Sequence, residues 1–524
     1  MIRTSTFLLL AGASLLSACN LAPDYERPAA AVPPTLPQGG VYPALAPGDV
    51  DISRIGWRDF FTDARLQTVI AQGLENNRNL RIAAGNVLQA RARYRIQRAN
   101  QLPTVGANAG VTFTNNPFGA QAAGTGGGTG GGTGTTPGTG TGTNPGTGTG
   151  TNPGTGTPGA NPGIGSTSSD LEIYQVGVGV SAFEIDLFGR LRNLSRAALE
   201  QYFATEEAQR ATRISLIAEI ATAWLTLAAD QDQLRLSRDT LGAFEQTRRL
   251  TQEQFRIGVA SELAFRQADT QYQQALNDIA ALETRVAQDR NALDLLVGAP
   301  VAESSLPNGL GQGGATIPTL PAGLSSEILL RRPDVLQAER QLRAENANIG
   351  AARAARFPTI SLTATLGTIS TALSGLFAGG SYAYSVAPGV SLPIFDNGRI
   401  GSNIRLAEAN REVAIATYDR AIQTAFREVA DALAQRGTIE RQVGAQTTRS
   451  QSAQVAARLS DARYRAGIDS FLNALDAQRT SYAAQQQLVT TRLARDTNLV
   501  ELYRSLGGGL QERDPAVPAE PPAP

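Results

Sequence analysis

The chain repeats itself, and the repeat limits what it can build. Residues 254–261 (Gln-Phe-Arg-Ile-Gly-Val-Ala-Ser) match residues 463–470 (Arg-Tyr-Arg-Ala-Gly-Ile-Asp-Ser) at an offset of 209, and Gly189-Arg190 falls on Gly398-Arg399 at the same offset. Upstream, Pro103-Thr104-Val105 matches Pro358-Thr359-Ile360, and Asn79-Leu80 matches Asp334-Val335, at an offset of 255. The difference of 46 residues falls within one tract of the first half, 119–165, dominated by Gly, Thr, Pro and Asn. Without it the halves run in register. The tract reads as a dispensable insertion in one loop, too poor in apolar side chains to order itself.

Each half carries the same elements in the same order. Ile82–Ala99 and Ala338–Ala355 are proline-free, Ala/Arg/Gln-rich helical stretches. Strict alternation follows. Val105, Ala107, Ala109, Val111 and Phe113 alternate with Gly, Asn and Thr, and Ile360, Leu362, Ala364 and Leu366 with Ser and Thr. After the loop Tyr174, Val176, Val178, Val180 and Ala182 alternate with Gln, Gly and Ser, and Tyr382 to Ile394 repeats the pattern in the second half. Period two with one apolar and one small or polar face predicts strands. A soluble sandwich would alternate likewise, but only two such hairpins exist. Their length suits tilted strands crossing a bilayer, which takes ~9–11 residues.

Four strands cannot close a barrel, and an open edge in lipid leaves backbone groups unsatisfied. The chain must assemble, as a dimer of eight strands or a trimer of twelve. Eight strands pack their own interior with side chains, whereas twelve can leave an aqueous lumen lined by Ser, Thr, Asn and Gly.

The stretches after each hairpin are long. Neither Arg190–Arg256 nor Arg399–Arg465 contains a proline, and ~66 residues of helix reach ~100 Å. Ile217, Ile220, Trp224, Leu227, Leu234 and Leu241 keep a 3/4 spacing into which Gln231 and Arg238 also fall, as in a helix wall with water on one side. A plain coiled-coil stalk has the same periodicity. Gly258 and Gly467 suit left-handed helix ends, and Ser261 and Ser470 suit the N-caps of returning helices, Ser261–Val297 and Ser470–Leu506.

Composition narrows the chemistry. There is no histidine and no lysine, one cysteine (Cys19), and 46 basic against 46 acidic residues. The usual nucleophile–histidine pairs and His/Cys metal sites cannot be built within one chain, so no metal, cofactor or catalysis is expected. Neutral balance argues against a nucleic-acid partner. The start, Met1 to Asn20, has Arg3, an apolar run Phe7–Leu16 and then Leu16-Ser17-Ala18-Cys19. That is a secretory signal ending in a segment that resembles a bacterial lipobox, where the sole cysteine becomes the acylated N-terminus of a protein anchored in outer-membrane lipid.

The expected organisation is a signal at 1–18, an acylated tether at 19–60, a first repeat at 61–307, a second at 308–506 and a flexible tail at 507–524. Within the repeats lie strand hairpins at 103–188 and 358–396 and helical hairpins at 190–297 and 399–506.

Five segments complete the picture: Trp57-Arg58-Asp59-Phe60-Phe61, Asp186-Leu187-Phe188-Gly189-Arg190, Leu330-Arg331-Arg332-Pro333-Asp334, Pro393-Ile394-Phe395-Asp396-Asn397-Gly398-Arg399 and Leu502-Tyr503-Arg504-Ser505-Leu506-Gly507-Gly508-Gly509. In this order, with the duplication and the lipobox, the chain resembles the outer-membrane efflux factors of the TolC/NodT type. The resemblance implies an α+β membrane protein: a homotrimer with a 12-strand outer-membrane β-barrel, four strands per chain, continued by a long α-helical coiled-coil tunnel through the periplasm. It implies passive conduction for an inner-membrane resistance-nodulation-division pump, with a periplasmic adaptor docking at the helix-turn-helix tips, Arg256, Gly258, Ser261, Arg465, Gly467 and Ser470. It also implies an inward gate six and nine residues past the second tip glycine. Those positions hold Asn473 and Asp476, of which only the second is acidic. The competing readings are a channel for type I protein secretion, a structural stalk lipoprotein and, least supported, an enzyme.

Overall fold

The computed structural model describes residues 20–29, 31–43, 55–114, 171–311 and 326–508. Cys19, the Gly/Thr tract and the tail after 508 lie outside the described residues. In chain order the elements are α1 (Trp57–Phe60), α2 (Ala64–Asn76), α3 (Arg78–Ala99), β1 (Val105–Thr114), β2 (Leu171–Ile185), α4 (Arg190–Arg256), α5 (Glu262–Val297), α6 (Pro333–Ala354), β3 (Thr359–Ser370), β4 (Tyr382–Ser391), α7 (Arg399–Arg465) and α8 (Phe471–Ser505). The duplication is explicit in the elements, since α4 and α7 each run 67 residues. The chain divides into two compact units. One holds the sheet (98–192 and 353–400) and the other holds most of the helices (21–97, 193–352 and 401–524).

The sheet is an antiparallel meander, β1-β2-β3-β4. Its register sorts side chains by face. Val105, Val180, Ala364 and Val386 lie in one cross-strand row, and Ala107, Val178, Leu366 and Tyr384 in another two residues along. The row between them is Gly106, Gly179, Thr365 and Ser385. Because neighbours along a strand point to opposite faces, one face is mostly apolar, interrupted by Thr368, and the other mostly small and polar, interrupted by Ile369. The apolar face is bare: Val105 is 68% exposed, Tyr384 74% and Val386 63%. β1 and β4 each pair on one side only, so both outer edges of the sheet are open.

In the helical unit a single core forms where α2, the middle of α4 and α7, and the ends of α5 and α8 meet. Ile217, Ile220, Trp224 and Leu227 of the α4 seam are buried in it, while Leu234 and Leu241 further along are half-buried. The seam therefore fills at the core and loosens toward the Gly258 end. Phe60 stacks on Tyr503 at 4.2 Å, and the Trp224 indole donates to the Ser305 carbonyl at 3.1 Å. α4 contains an 18-residue window apolar enough for a membrane span, but most of it lies inside this core, which identifies a core helix.

Two segments differ from the expectation of free tethers. Residues 21–29 run without helix or strand, yet dock on α6: Arg27 and Tyr25 meet Glu339 at 2.8 and 3.2 Å, and Asn346 donates to the Pro23 carbonyl at 2.7 Å. Burial opposes ionisation of Glu339, but Arg343 and Arg27 hold its carboxyl below the usual range. Trp57 and Phe60, placed in the tether by sequence, are core residues, and Gly507 and Gly508 are buried rather than part of a loose tail. Apolar and stacking contacts offset the ordering cost that Pro/Ala-rich composition alone would not recover.

One half-buried site in this unit is electrostatically unfavourable. Desolvation, then the neighbouring Asp230 carboxylate, push the Asp289 carboxyl from 3.8 up to about 6, with Arg285 opposing. A folded-state pKa above the unfolded value stabilises the fold below the unfolded pKa, and that contribution is lost as pH rises through about 6. Asp289→Asn is therefore expected to stabilise the fold at pH 7 by about 1 kcal/mol after solvent screening, read as a higher thermal midpoint, and to change little at pH 4. Equal shifts at both pH values would exclude the repulsion.

Candidate functional site

The helix-turn-helix tips are built by backbone geometry. At the first, Gly258 sits at φ +79°, its N–H donates to the Phe255 carbonyl at 3.0 Å, and the Val259 N–H donates to the Gln254 carbonyl at 2.8 Å. At the second, Gly467 sits at φ +72°, with Gly467 to Tyr464 at 2.9 Å and Ile468 to Arg463 at 2.9 Å. These are paired Schellman closures, which need a residue that tolerates the left-handed region. Ser261 Oγ then accepts from the Ala264 N–H at 3.2 Å and Ser470 Oγ from the Asn473 N–H at 3.4 Å, starting the returning helices. All four predicted glycines and serines thus have a capping role.

The arginines differ in kind. Arg256 pairs with Glu253 at 2.8 Å and Arg465 with Asp461 at 2.9 Å, both on the exposed surface of their own helix. Sequence reasoning missed the pair that closes the second turn, Arg463 with Asp469 at 2.5 Å. Arg463 holds the Asp469 carboxyl below its usual range. The first tip has Gln254 and Ala260 at these repeat positions, so it cannot make the pair. Gln254 Oε1 instead accepts from the Tyr464 hydroxyl at 2.7 Å, which ties one hairpin to the other at the tips. Further along, the Tyr482 hydroxyl bridges Ser237 at 2.8 Å and Asp278 at 3.1 Å. Its burial pushes the phenol up to about 12, so it stays a neutral donor. The signal that could have found this latch is divergence inside the repeat, at 254/463 and 260/469.

Asn473 and Asp476 lie on one exposed side of α8, and Ala474 and Leu475 between them are buried. Asp476 makes no ion pair among the described residues. An open groove between α3, α4 and α6 is lined by amides, Asn86, Gln89, Gln201, Gln337 and Gln341. No cluster of metal-ligating residues occurs among the described residues.

Residues 69–299 and 324–508 match the sequence model of outer membrane efflux proteins, which covers most of the chain and both repeats. The chain belongs to this family. It is 40% identical over 511 residues to the toluene efflux pump outer membrane protein TtgC of Pseudomonas putida, spanning 97% of each chain. It is equally similar to the antibiotic efflux pump outer membrane protein ArpC of the same species, again at 40% over 511 residues and 97% of each chain. Among solved structures it superposes on the open state of the MtrE outer membrane channel of Neisseria gonorrhoeae with a TM-score of 0.77 at 35% identity, covering 94% of this chain and 99% of that one. As an outer membrane efflux protein it is an outer-membrane channel component, and the bare apolar face of its sheet is the face suited to lipid. The family is one of channels rather than enzymes.

Proposed function

We propose that three copies join their open edges into one barrel of twelve strands, and that the joined helical hairpins form a periplasmic tunnel for passive export. The observation that carries this reading is the sheet itself. It has four strands, two unpaired edges and an uncovered apolar face, and a backbone edge cannot be left open in lipid. The names of the relatives, efflux pump outer membrane proteins for toluene, solvents and antibiotics, support small organic cargo; on this reading an inner-membrane resistance-nodulation-division pump delivers it through a periplasmic adaptor. The adaptor docks at the two tips around Gly258 and Gly467, and Cys19 carries the lipid anchor.

The tip end is closed at rest. Three copies bring three Asp476 carboxylates toward one axis, where they attract cations, while the Tyr464–Gln254 hydrogen bond holds the hairpins together. Asp476→Ala is expected to lower cation selectivity, and Tyr464→Phe to raise single-channel conductance, each by roughly twofold or more in a planar bilayer. Unchanged selectivity and conductance in both variants would remove the gate from this region.

A further inference from the structure

All four junctions between strand and helix lie at the same end of the sheet. The antiparallel meander brings the start of β1, the end of β2, the start of β3 and the end of β4 together. Side chains tie them: Phe188 stacks on Phe357 at 4.6 Å, Gln101 donates to the Leu191 carbonyl at 3.4 Å, and Thr359 to the Ser391 carbonyl at 3.3 Å. Within residues 98–104, 184–192, 353–358 and 391–400 there are six arginines and three carboxylates. The rest of the sheet is the opposite. Residues 105–114, 173–183 and 359–390 contain no charged side chain, and Glu172 is the only charge at the far end among the described residues.

The three carboxylates are already engaged. Glu184 pairs with Arg190, Asp186 accepts the Arg192 N–H at 2.8 Å, and Asp396 accepts the N–H groups of Gly398 and Ile400 at 3.0 and 2.6 Å. Arg98, Arg192, Arg356 and Arg399, one for each junction, are exposed and make no ion pair among the described residues. Beside them stand bare apolar side chains: Leu102, Phe357, Ile394 and Phe395, the last two 94% and 85% exposed. Guanidiniums without an ion-pair partner, of which only Arg399 feels a nearby carboxylate, Asp396, stand next to exposed apolar groups where a charge-free sheet ends, and this matches a membrane–water boundary. The apolar groups enter the acyl region, while the arginine stems lie along it and their heads reach phosphate. A guanidinium fork also fits a phosphodiester in two-point fashion.

We propose that Arg98, Arg192, Arg356 and Arg399 form a collar that binds the headgroup phosphates of anionic phospholipid in the leaflet where the sheet meets the helices. The proposal rests on the outer-membrane, assembled reading given above. Its net positive charge selects anionic over zwitterionic headgroups.

The test is native mass spectrometry of the full-length assembly in detergent, titrated with phosphatidylglycerol and phosphatidylethanolamine at equal concentration. The wild type is expected to retain phosphatidylglycerol with roughly tenfold preference. The preference should vanish in R98Q/R192Q/R356Q/R399Q, largely persist in the corresponding fourfold Arg→Lys variant, and weaken as salt is raised. A wild type that holds both lipids equally overturns the collar while leaving the membrane reading intact. A glutamine variant that keeps the preference overturns it too. Should that variant fail to assemble, the salt series on the wild type decides: a preference indifferent to salt overturns the collar. An assembly that retains no phospholipid counts against both the collar and the membrane reading.

Discussion

Gly367→Val should abolish the assembled channel. A Cβ built at Gly367 meets the Val176 carbonyl oxygen at 2.2 Å and the Gly177 Cα at 2.6 Å. Both are backbone atoms of the adjoining strand, so no side chain can rotate away. Gly367 pairs directly with Gly177, and a Cβ at Gly179 would also meet backbone, the Ala364 carbonyl oxygen, at 2.6 Å. β2 and β3 therefore press together along a glycine track, just before the register shifts between Val180 and Phe183. Overpacking of this kind costs on the order of 3 kcal/mol for each chain, and in a closed ring every copy carries it. The measurement is the yield of heat-resistant oligomer in isolated outer membranes, expected to fall at least roughly tenfold. Gly106→Ala is the control, because nothing lies within 4 Å of its Cβ position. Normal yield from Gly367→Val would mean that the close approach of β2 and β3 is not required.

The second large effect is at Arg332, which is 4% exposed and holds three elements at once. Its guanidinium contacts Asp334 at 2.7 Å, Glu428 of α7 at 2.8 Å and the carbonyl of Ser505, the last residue of α8, at 2.8 Å. Arg504 reaches the same Glu428 at 3.2 Å. Arg332→Ala removes the charge that balances Asp334 and Glu428 and leaves the Ser505 carbonyl buried without that donor. Asp334 and Glu428 keep partial access to water, at 42% and 21% exposed, and Arg504 still reaches Glu428, so the loss costs about 2 kcal/mol rather than the ~3–5 kcal/mol of a fully buried pair. The far-UV circular dichroism melt of the detergent-purified protein should therefore shift downward. Arg332→Lys should recover only part of it, since an ammonium cannot reproduce the fork. Exposed Arg458→Ala, which removes no ion pair among the described residues, is expected to stay within about 0.5 kcal/mol. A wild-type melt from Arg332→Ala would show that the ion cluster adds no net stability.

The signature segments acquire physical content from these contacts. Trp57, Phe60 and Tyr503 are legible in sequence only as aromatics of separate motifs, and in the structure all three enter one core, where Phe60 and Phe61 pack ring to ring with Tyr503. Leu330-Arg331-Arg332-Pro333-Asp334 reads as a motif, but its point is one buried guanidinium. The tips were legible in detail, because a left-handed glycine and an N-cap serine act through bonds within a few residues. The Tyr464–Gln254 and Tyr482–Asp278 contacts were not, because each joins residues more than 200 positions apart. Nothing in local spacing marks which tyrosine will reach across.

Sequence alone determined the duplication, the four alternating strands, the two 67-residue helices with their returns, and hence the need for more than one copy to close a sheet. These follow from period, length and hydrogen-bond arithmetic, all of which are local or additive. Tertiary structure alone decided that β2 and β3 meet glycine to glycine, and that the segment holding Tyr25 and Arg27 is docked through Glu339 rather than loose. It also decided that the arginines at four separate junctions lie at one end of the sheet. Those outcomes depend on which distant residues share a register or a face, and register is chosen by the packing of the whole rather than by any one segment.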